Sequence, residues 1–386
     1  MKKVLFFLIA FFFCLSPAFA QQYDLLFLGF DAGETNIWSA LIEDWKTEKK
    51  YAVMTMATAT KVAEEQHLTP LITLQNLDVD CPVNDRLHAL TTDDLRKIEK
   101  IKTRYLCTGM YSTPQRQIAE TLHKQGTKVI ACWDNFSSYD RLAPDLMANV
   151  EKIVAIAQVV LTPTQQVADD LNQRFHTDKA RAMGQPTLDV WRKKLQEVDK
   201  KTALRKTPFN QEKPILVFIS GYEEKGNDYR RAFQLFAEGI KNAGSKYNVL
   251  IQLHPRSNGE LERTILKEVA TTSSQFPQFF ISDARRDLTV MEAVALAALG
   301  ATHHSTVGIQ ALFAGKDFFY VDLPGTVYTN FSIEKKLSPQ LMSSEEISAF
   351  LMTHHASNNA SSAALYHKSG VPENGTAKMR EFLEGI

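Results

Sequence analysis

Cysteine is scarce in this chain: four residues in 386, at positions 14, 81, 107 and 132, and none in a Cys-x-x-Cys pair. A zinc ribbon or a redox dithiol is therefore not expected. Net charge is missing too, because Lys+Arg and Asp+Glu both number 44. No global field draws the protein to nucleic acid or to an anionic membrane. Gly-x-Gly-x-x-Gly does not occur, so there is no dinucleotide fingerprint. Gly-x-Ser-x-Gly does not occur either, which removes the hydrolase nucleophile elbow. After residue 20, no uninterrupted apolar run approaches the ~20 residues of a membrane-spanning helix.

What is present begins with a leader. Lys2 and Lys3 precede an apolar run over residues 4–15, and Ala18-Phe19-Ala20 has the small-x-small form of a cleavage site. Residues 1–20 are read as a signal peptide, with the mature chain starting at Gln21 and exported to the periplasm or secreted. Cys107 and Cys132 each end an apolar run. In an oxidising compartment they are either a disulfide or two buried thiols, and the sequence leaves both readings open.

A chain of this length exceeds what one core usually serves, so two domains are expected. Residues 23–29 form a buried-strand pattern followed by a loop with Asp31, Gly33 and Glu34, then a helical stretch over 37–46. Strands over 51–57 and 71–77, a helix over 95–102 and short strands at 105–107 and 129–132 continue the alternation. Pro114 opens a helix to Lys124, and Thr164 caps one that runs to Phe175. A charged stretch over 192–213 reads as a solvated linker. The alternation restarts at residues 214–220, with strands at 247–253 and 279–283. Strands alternating with helices imply a parallel sheet covered on both faces. The expected layout is an N-terminal Rossmann-like domain over 21–191, a linker over 192–213 and a C-terminal Rossmann-like domain over 214–340. A helical tail over 341–386 follows, with residues 357–376 as loop. Two such α/β domains in tandem would face a central cleft with the carboxyl ends of their strands.

Residues 300–321 are the most informative stretch. Ser305 and Thr306 are helix-starting hydroxyl residues, and Gly308 removes a side chain where another group could approach the backbone. Ile309, Leu312 and Phe313 give an apolar helical stripe, Gly315 a left-handed stop, and residues 318–321 a strand. A helix start with hydroxyls and N–H groups is an anion site in waiting, and phosphate suits it.

Taken in order, Trp133-Asp134-Asn135-Phe136-Ser137, Gly184-Gln185-Pro186 with Asp189 and Trp191, His254-Pro255-Arg256, and His304-Ser305-Thr306 with Gly308 and Gln310 resemble a known superfamily. They are similar to the GT-B nucleotide-sugar glycosyltransferases and the related nucleotide-sugar 2-epimerases. Within that group they resemble bacterial surface-polysaccharide and glycerophosphate-type transferases. The resemblance covers residues 24–325. It implies a metal-independent transferase with no cofactor, which uses a nucleotide sugar as donor and a glycan or lipid-linked acceptor. By the same resemblance, Gly221, Lys225, His254, Arg256, Ser305, Thr306, Gly308 and Gln310 would hold the nucleotide and its phosphates, neutralising the leaving group. Asp31, Glu34 and Asp134 are the candidates for a catalytic base. Residues 310–312 (Gln-Ala-Leu) are neutral where many members carry an acid for the ribose hydroxyls, and nucleotide sugars are cytoplasmic. Those two departures give a second reading, an exported binding protein without turnover; an epimerase-like isomerase is a third.

Two metal signals are set aside. Asp78-Val79-Asp80 reads as a solvated turn. His303 and His304 are taken as adjacent strand residues, whose side chains would point to opposite faces.

Overall fold

The computed structural model describes residues 22–82, 85–136, 143–210, 212–221, 228–324, 330–354 and 362–386. The expected leader with Cys14, as well as Ser137 and Lys225, lies outside the described residues. The chain divides into two compact units: the first runs to Met183 and resumes at Ala377–Ile386, and the second is Gly184–Thr376.

Unit 1 is built on a parallel sheet of seven strands: β1 (Gln22–Gly29), β2 (Tyr51–Thr55), β3 (Leu71–Thr73), β4 (Lys102–Thr108), β5 (Lys128–Cys132), β6 (Ala157–Thr162) and β7 (Ala180–Ala182). Their order across the sheet is β3-β2-β1-β4-β5-β6-β7. β1 lies inside the sheet, with Phe27 paired to Val53 on one side and to Cys107 on the other. Its unbroken apolar run suits a strand covered on both faces. Leu26 and Leu28 enter one core cluster, while Leu25 and Phe27 enter the other with Ile37, Trp38 and Leu41 of the helix Ala32–Ile42. That helix starts earlier than its apolar pattern suggests, because Asp31 and Glu34 form a capping box at its first turn. The run over 71–77 is strand only to Thr73; a 3₁₀ turn, Gln75–Leu77, follows. Cys107 and Cys132 are buried free thiols, and Cys81 is a half-buried one. Of the two readings left open, the structure shows the thiols.

Unit 2 repeats the architecture with β8 (Ile215–Ile219), β9 (Asn248–Gln252), β10 (Phe279–Ser282), β11 (Leu299–Thr302), β12 (Phe318–Val321) and β13 (Gln340–Leu341). All pair in parallel in the order β10-β9-β8-β11-β12-β13. Leu216 and Phe218 fill one cluster, and Val217 and Ile219 the other. Two parallel sheets, each with interleaved helices, give the two-domain α/β fold that the sequence implies.

Three further segments depart from the sequence reading. The charged stretch over 192–213 contains the end of the helix Pro186–Glu197 and the helix Lys200–Arg205. Leu195, Ala203 and Phe209 are buried in the same cluster as Val217, so this stretch is anchored to unit 2 rather than solvated throughout. Residues 362–369, expected as loop, form the helix Ser362–Ser369, pinned by buried Tyr366 with its ring 4.8 Å from that of Phe313. The C-terminal stretch is shared between the units. The helix Ser344–Thr353 packs into the unit 2 cluster through Ile347 and Leu351, and Met379 and Leu383 are buried with Trp38 in unit 1. Among the described residues, no helix is long and apolar enough to cross a membrane.

Candidate functional site

In each sheet the strand order reverses beside the first strand, between β1 and β4 in unit 1 and between β8 and β11 in unit 2. Such reversals open a crevice at the carboxyl ends of the strands, where α/β proteins bind ligands. Asp31, Asp134, His254, Arg256, Ser305 and Thr306 each follow the carboxyl end of a strand.

In unit 1 the structure brings Asp31, Glu34 and Asp134 together. Asp31 follows β1 and caps the helix Ala32–Ile42. Its Oδ1 accepts from the Gly33 and Glu34 N–H groups at 3.0 and 3.5 Å, and its Oδ2 pairs with Arg86 at 2.9 Å. The Glu34 side chain turns back, its Oε1 accepting from the N–H groups of Phe30 at 2.6 Å and Asp31 at 3.1 Å. Gln115, from the first turn of the helix Thr113–Lys124, spans the same carboxylate, its Nε2 donating to Oε1 at 2.9 Å and Oε2 at 2.8 Å. Ser112 caps that helix and also donates to Gln115 Oε1 at 2.9 Å, which fixes the amide orientation.

Two glycines make the arrangement possible. A Cβ at Gly109, just past β4, would lie 1.5 Å from Glu34 Oε2, and one at Gly33 would lie 2.4 Å from Asp134 Oδ2. Asp134 follows β5 beside buried Trp133, whose ring lies 5.1 Å from that of Tyr111. Burial, with the charge of Asp31 next, pushes the Asp134 carboxyl up from 3.8 to about 7. Glu34 is raised well above the usual carboxylate range by its burial, then by the charges of Asp31 and Asp134. The Tyr111 phenol is raised by burial and by Asp134. A carboxyl that titrates near neutrality beside another held above its ordinary value is suited to moving protons. No sequence pattern marks Gln115, Tyr111, Gly109 or Arg86 as part of this group. Ser112-Thr113-Pro114-Gln115 signals a helix start, but not that Gln115 reaches Glu34.

In unit 2, Gly221 follows β8, His254 and Arg256 follow β9, and Ser305 and Thr306 follow β11, so all five occupy the carboxyl ends of three adjacent strands. The Arg256 N–H donates to His254 Nδ1 at 3.1 Å, which places the proton of the neutral ring on Nε2. Burial, then Arg256, holds His254 below its ordinary value. Ser305 Oγ accepts from the Val307 N–H at 3.2 Å at the start of the helix Val307–Phe313, while Thr306 makes no side-chain cap. The group that approaches Gly308 belongs to the protein: a Cβ there would lie 2.4 Å from the Tyr320 hydroxyl. Gln310 lies further along the same helix, half-buried. The Gly184 and Asp189 of the sequence motif hold the chain's return. Gly184, at φ +86°, lies against the Pro372 carbonyl, and Asp189 Oδ2 accepts from the Thr376 N–H at 2.8 Å.

The histidine pair differs from its sequence reading. β11 ends at Thr302, so the alternation of a strand no longer governs His303 and His304. Their rings lie 3.6 Å apart, and among the described residues they form with Asp322 a group whose ligand atoms are all within 4.8 Å of one another. His304 has an edge open to solvent, yet its ring is desolvated enough by its neighbours to lower it to about 4, with the charge of His303 adding to the shift.

No family model matches the chain, and no curated protein matches it. Solved structures do. A UDP-GlcNAc 2-epimerase from Neisseria meningitidis, bound to UDP-GlcNAc, aligns with a TM-score of 0.66 at 13% identity, covering 95% of this chain and 100% of that one. The UDP-GlcNAc 2-epimerase from Methanocaldococcus jannaschii aligns with a TM-score of 0.68 at 13% identity, with the same coverage. A variant of the wall teichoic acid polymerase TagF aligns with a TM-score of 0.56 at 11% identity, covering 94% of this chain and 88% of that one. This chain has the GT-B-type fold that these epimerases and this polymerase share.

Proposed function

We propose that this GT-B-type chain is an exported glycosyltransferase-like enzyme that moves a sugar or sugar-phosphate unit in cell-envelope or secreted-glycan chemistry. The observation that carries the reading is the carboxylate group at the ends of β1 and β5. Asp134, pushed up to about 7, is matched to accept a proton from an acceptor hydroxyl near neutral pH. Asp31 and Glu34 support it: Asp31 adds the charge that raises Asp134, and Glu34 with Gln115 keeps the loop after β1 in place. In unit 2, His254 and Arg256 would meet the nucleotide diphosphate, and the hydroxyls of Ser305 and Thr306 would face its phosphates. Gly221, just past β8, and Gln310, in the helix after β11, would approach the same group. The donor would be a nucleotide sugar and the acceptor a glycan or lipid-linked sugar.

An isomerase of the epimerase kind is the second reading, and the pair of raised carboxyls favours it. Removing and returning a proton at one carbon needs an acid and a base side by side, as Glu34 and Asp134 are. The neutral Gln310 keeps open a third reading, a binding protein without turnover.

Melting the chain from Gln21 onward against a panel of nucleotides and nucleotide sugars tests the ligand class. Ligand at a hundred times its Kd stabilises the folded state by about 2.7 kcal/mol. One member of the panel is expected to raise the midpoint, and His254→Ala or Arg256→Ala is expected to abolish that rise. No shift with any member would remove the nucleotide from the reading. The selected nucleotide sugar is then incubated in D₂O without acceptor. Deuterium in recovered sugar assigns the isomerase; transfer on adding acceptor, with no deuterium, assigns the transferase; binding with neither assigns the binding protein.

A further inference from the structure

We propose that His303, His304 and Asp322 form a binding site for a divalent transition-metal ion, best suited to Zn²⁺. The inference rests on the turn after β11 and the end of β12, and stands whether or not unit 2 holds a nucleotide.

The donor set is the first argument. Two imidazoles and one carboxylate suit a first-row divalent ion, and three protein ligands leave one position of a tetrahedral zinc for water or a ligand oxygen. Geometry is the second. In a tetrahedral zinc site with bonds near 2.0–2.2 Å, neighbouring ligand atoms lie about 3.3 Å apart. Each residue offers one donor atom, a ring nitrogen of each histidine and a carboxylate oxygen of Asp322, all within 4.8 Å of one another, so side-chain rotations would complete the site.

The surrounding contacts are the third argument, because they hold the donors as a metal site requires. His303 Nδ1 lies 2.7 Å from the Val321 carbonyl oxygen. Only a protonated nitrogen donates to a carbonyl, so the lone pair of the neutral ring is on Nε2, the nitrogen that would bind the ion. Asp322 is buried, with Oδ2 accepting from Gln340 Nε2 at 2.8 Å and Oδ1 from the Leu323 N–H at 3.1 Å. Each carboxylate oxygen keeps a second lone pair for a metal. Gln340 opens β13, the edge strand beside β12, so the sheet itself orients the ligand. His304 is exposed and gives the ion a path from solvent. A bound ion would tie the turn that carries Ser305 and Thr306 to the end of β12.

The test uses the full chain loaded with Zn²⁺, freed of excess by gel filtration and assayed for metal and protein. One zinc per chain is expected. His304→Ala, at an exposed position that leaves the core intact, is expected to weaken binding at least tenfold. Gln340→Ala, which removes the amide that donates to the carboxylate, is expected to weaken it by about 10–100-fold. Substitution with Co²⁺ gives the structural readout: intense visible bands of a tetrahedral ion in the wild type, lost in His304→Ala. Folding of each variant is checked by circular dichroism. A folded wild type that retains no zinc would overturn the proposal. So would a folded His304→Ala protein with unchanged affinity and cobalt spectrum.

Discussion

Replacing Asp134 with Asn is expected to lower turnover of the selected nucleotide sugar by about two to four orders of magnitude, the usual contribution of a general acid or base. The same change is expected to make the protein more stable, and only at the higher pH. An aspartate raised from 3.8 to about 7 on folding holds a proton that the unfolded chain has already lost between those values. Folding is therefore penalised progressively as pH rises from about 4 to about 7, and by a constant amount above that. A carboxyl raised that far costs the folded state at most about 4 kcal/mol. Asparagine carries no charge in either state and escapes the penalty. Its melting temperature should exceed that of the wild type by several degrees at pH 8, and the two should converge near pH 4. Wild-type turnover by an Asp134 base should rise through about pH 7, as the carboxylate forms. An equal melting difference at both pH values would show that Asp134 is not raised. Full turnover in the Asn variant would remove it as the base.

Gly109→Ala is expected to abolish turnover while lowering stability by about 1–3 kcal/mol, the usual range for overfilling a packed site. The new methyl carbon would lie 1.5 Å from Glu34 Oε2 and 2.7 Å from Gln115 Nε2, closer than any non-bonded contact allows. The carboxylate must leave, and with it go the paired bonds to Gln115 and the acceptor for the Phe30 N–H. Combining Gly109→Ala with Glu34→Ala relieves the overlap. The double variant should be less destabilised than the two single effects added together, a coupling read from urea melts. Strict additivity would mean that the methyl group does not act through Glu34.

The carboxylate group is half legible in the sequence. A strand pattern followed by Phe30-Asp31-Ala32-Gly33-Glu34 places both acids at a strand end, and Trp133-Asp134 follows another such run. Strand ends are where sheet chemistry gathers, so the apolar pattern points to these acids. It does not point to Gln115 and Gly109, because their importance is a distance across the sheet and no local pattern encodes it. The left-handed stop at Gly315 and the strand after it are also readable, since one rests on backbone sterics and the other on an apolar run. The histidine pair defeats the sequence reading for a local reason. Strand alternation does not extend to His303, because β11 stops at Thr302, and beyond a strand's end successive side chains need not diverge. Charge is misleading over residues 192–213. Lysines and arginines dominate the stretch, yet Leu195, Ala203 and Phe209 are what hold it to the core.

Because Ala377–Ile386 belongs to unit 1, that unit is interrupted in sequence by the whole of unit 2. A chain made from its amino end gathers β1 to β7 early, but not Met379 or Leu383, whose side chains lie in one cluster with Trp38 and Leu41. Nor does it yet have Arg380, whose guanidinium Nε donates to the Leu41 carbonyl at 2.8 Å, at the end of the first helix. Domains usually complete themselves in the order of synthesis. Here that order is reversed: unit 2 has all its residues before unit 1 does. A nascent chain would thus expose one unfinished apolar face until the helix Gly375–Glu384 emerges.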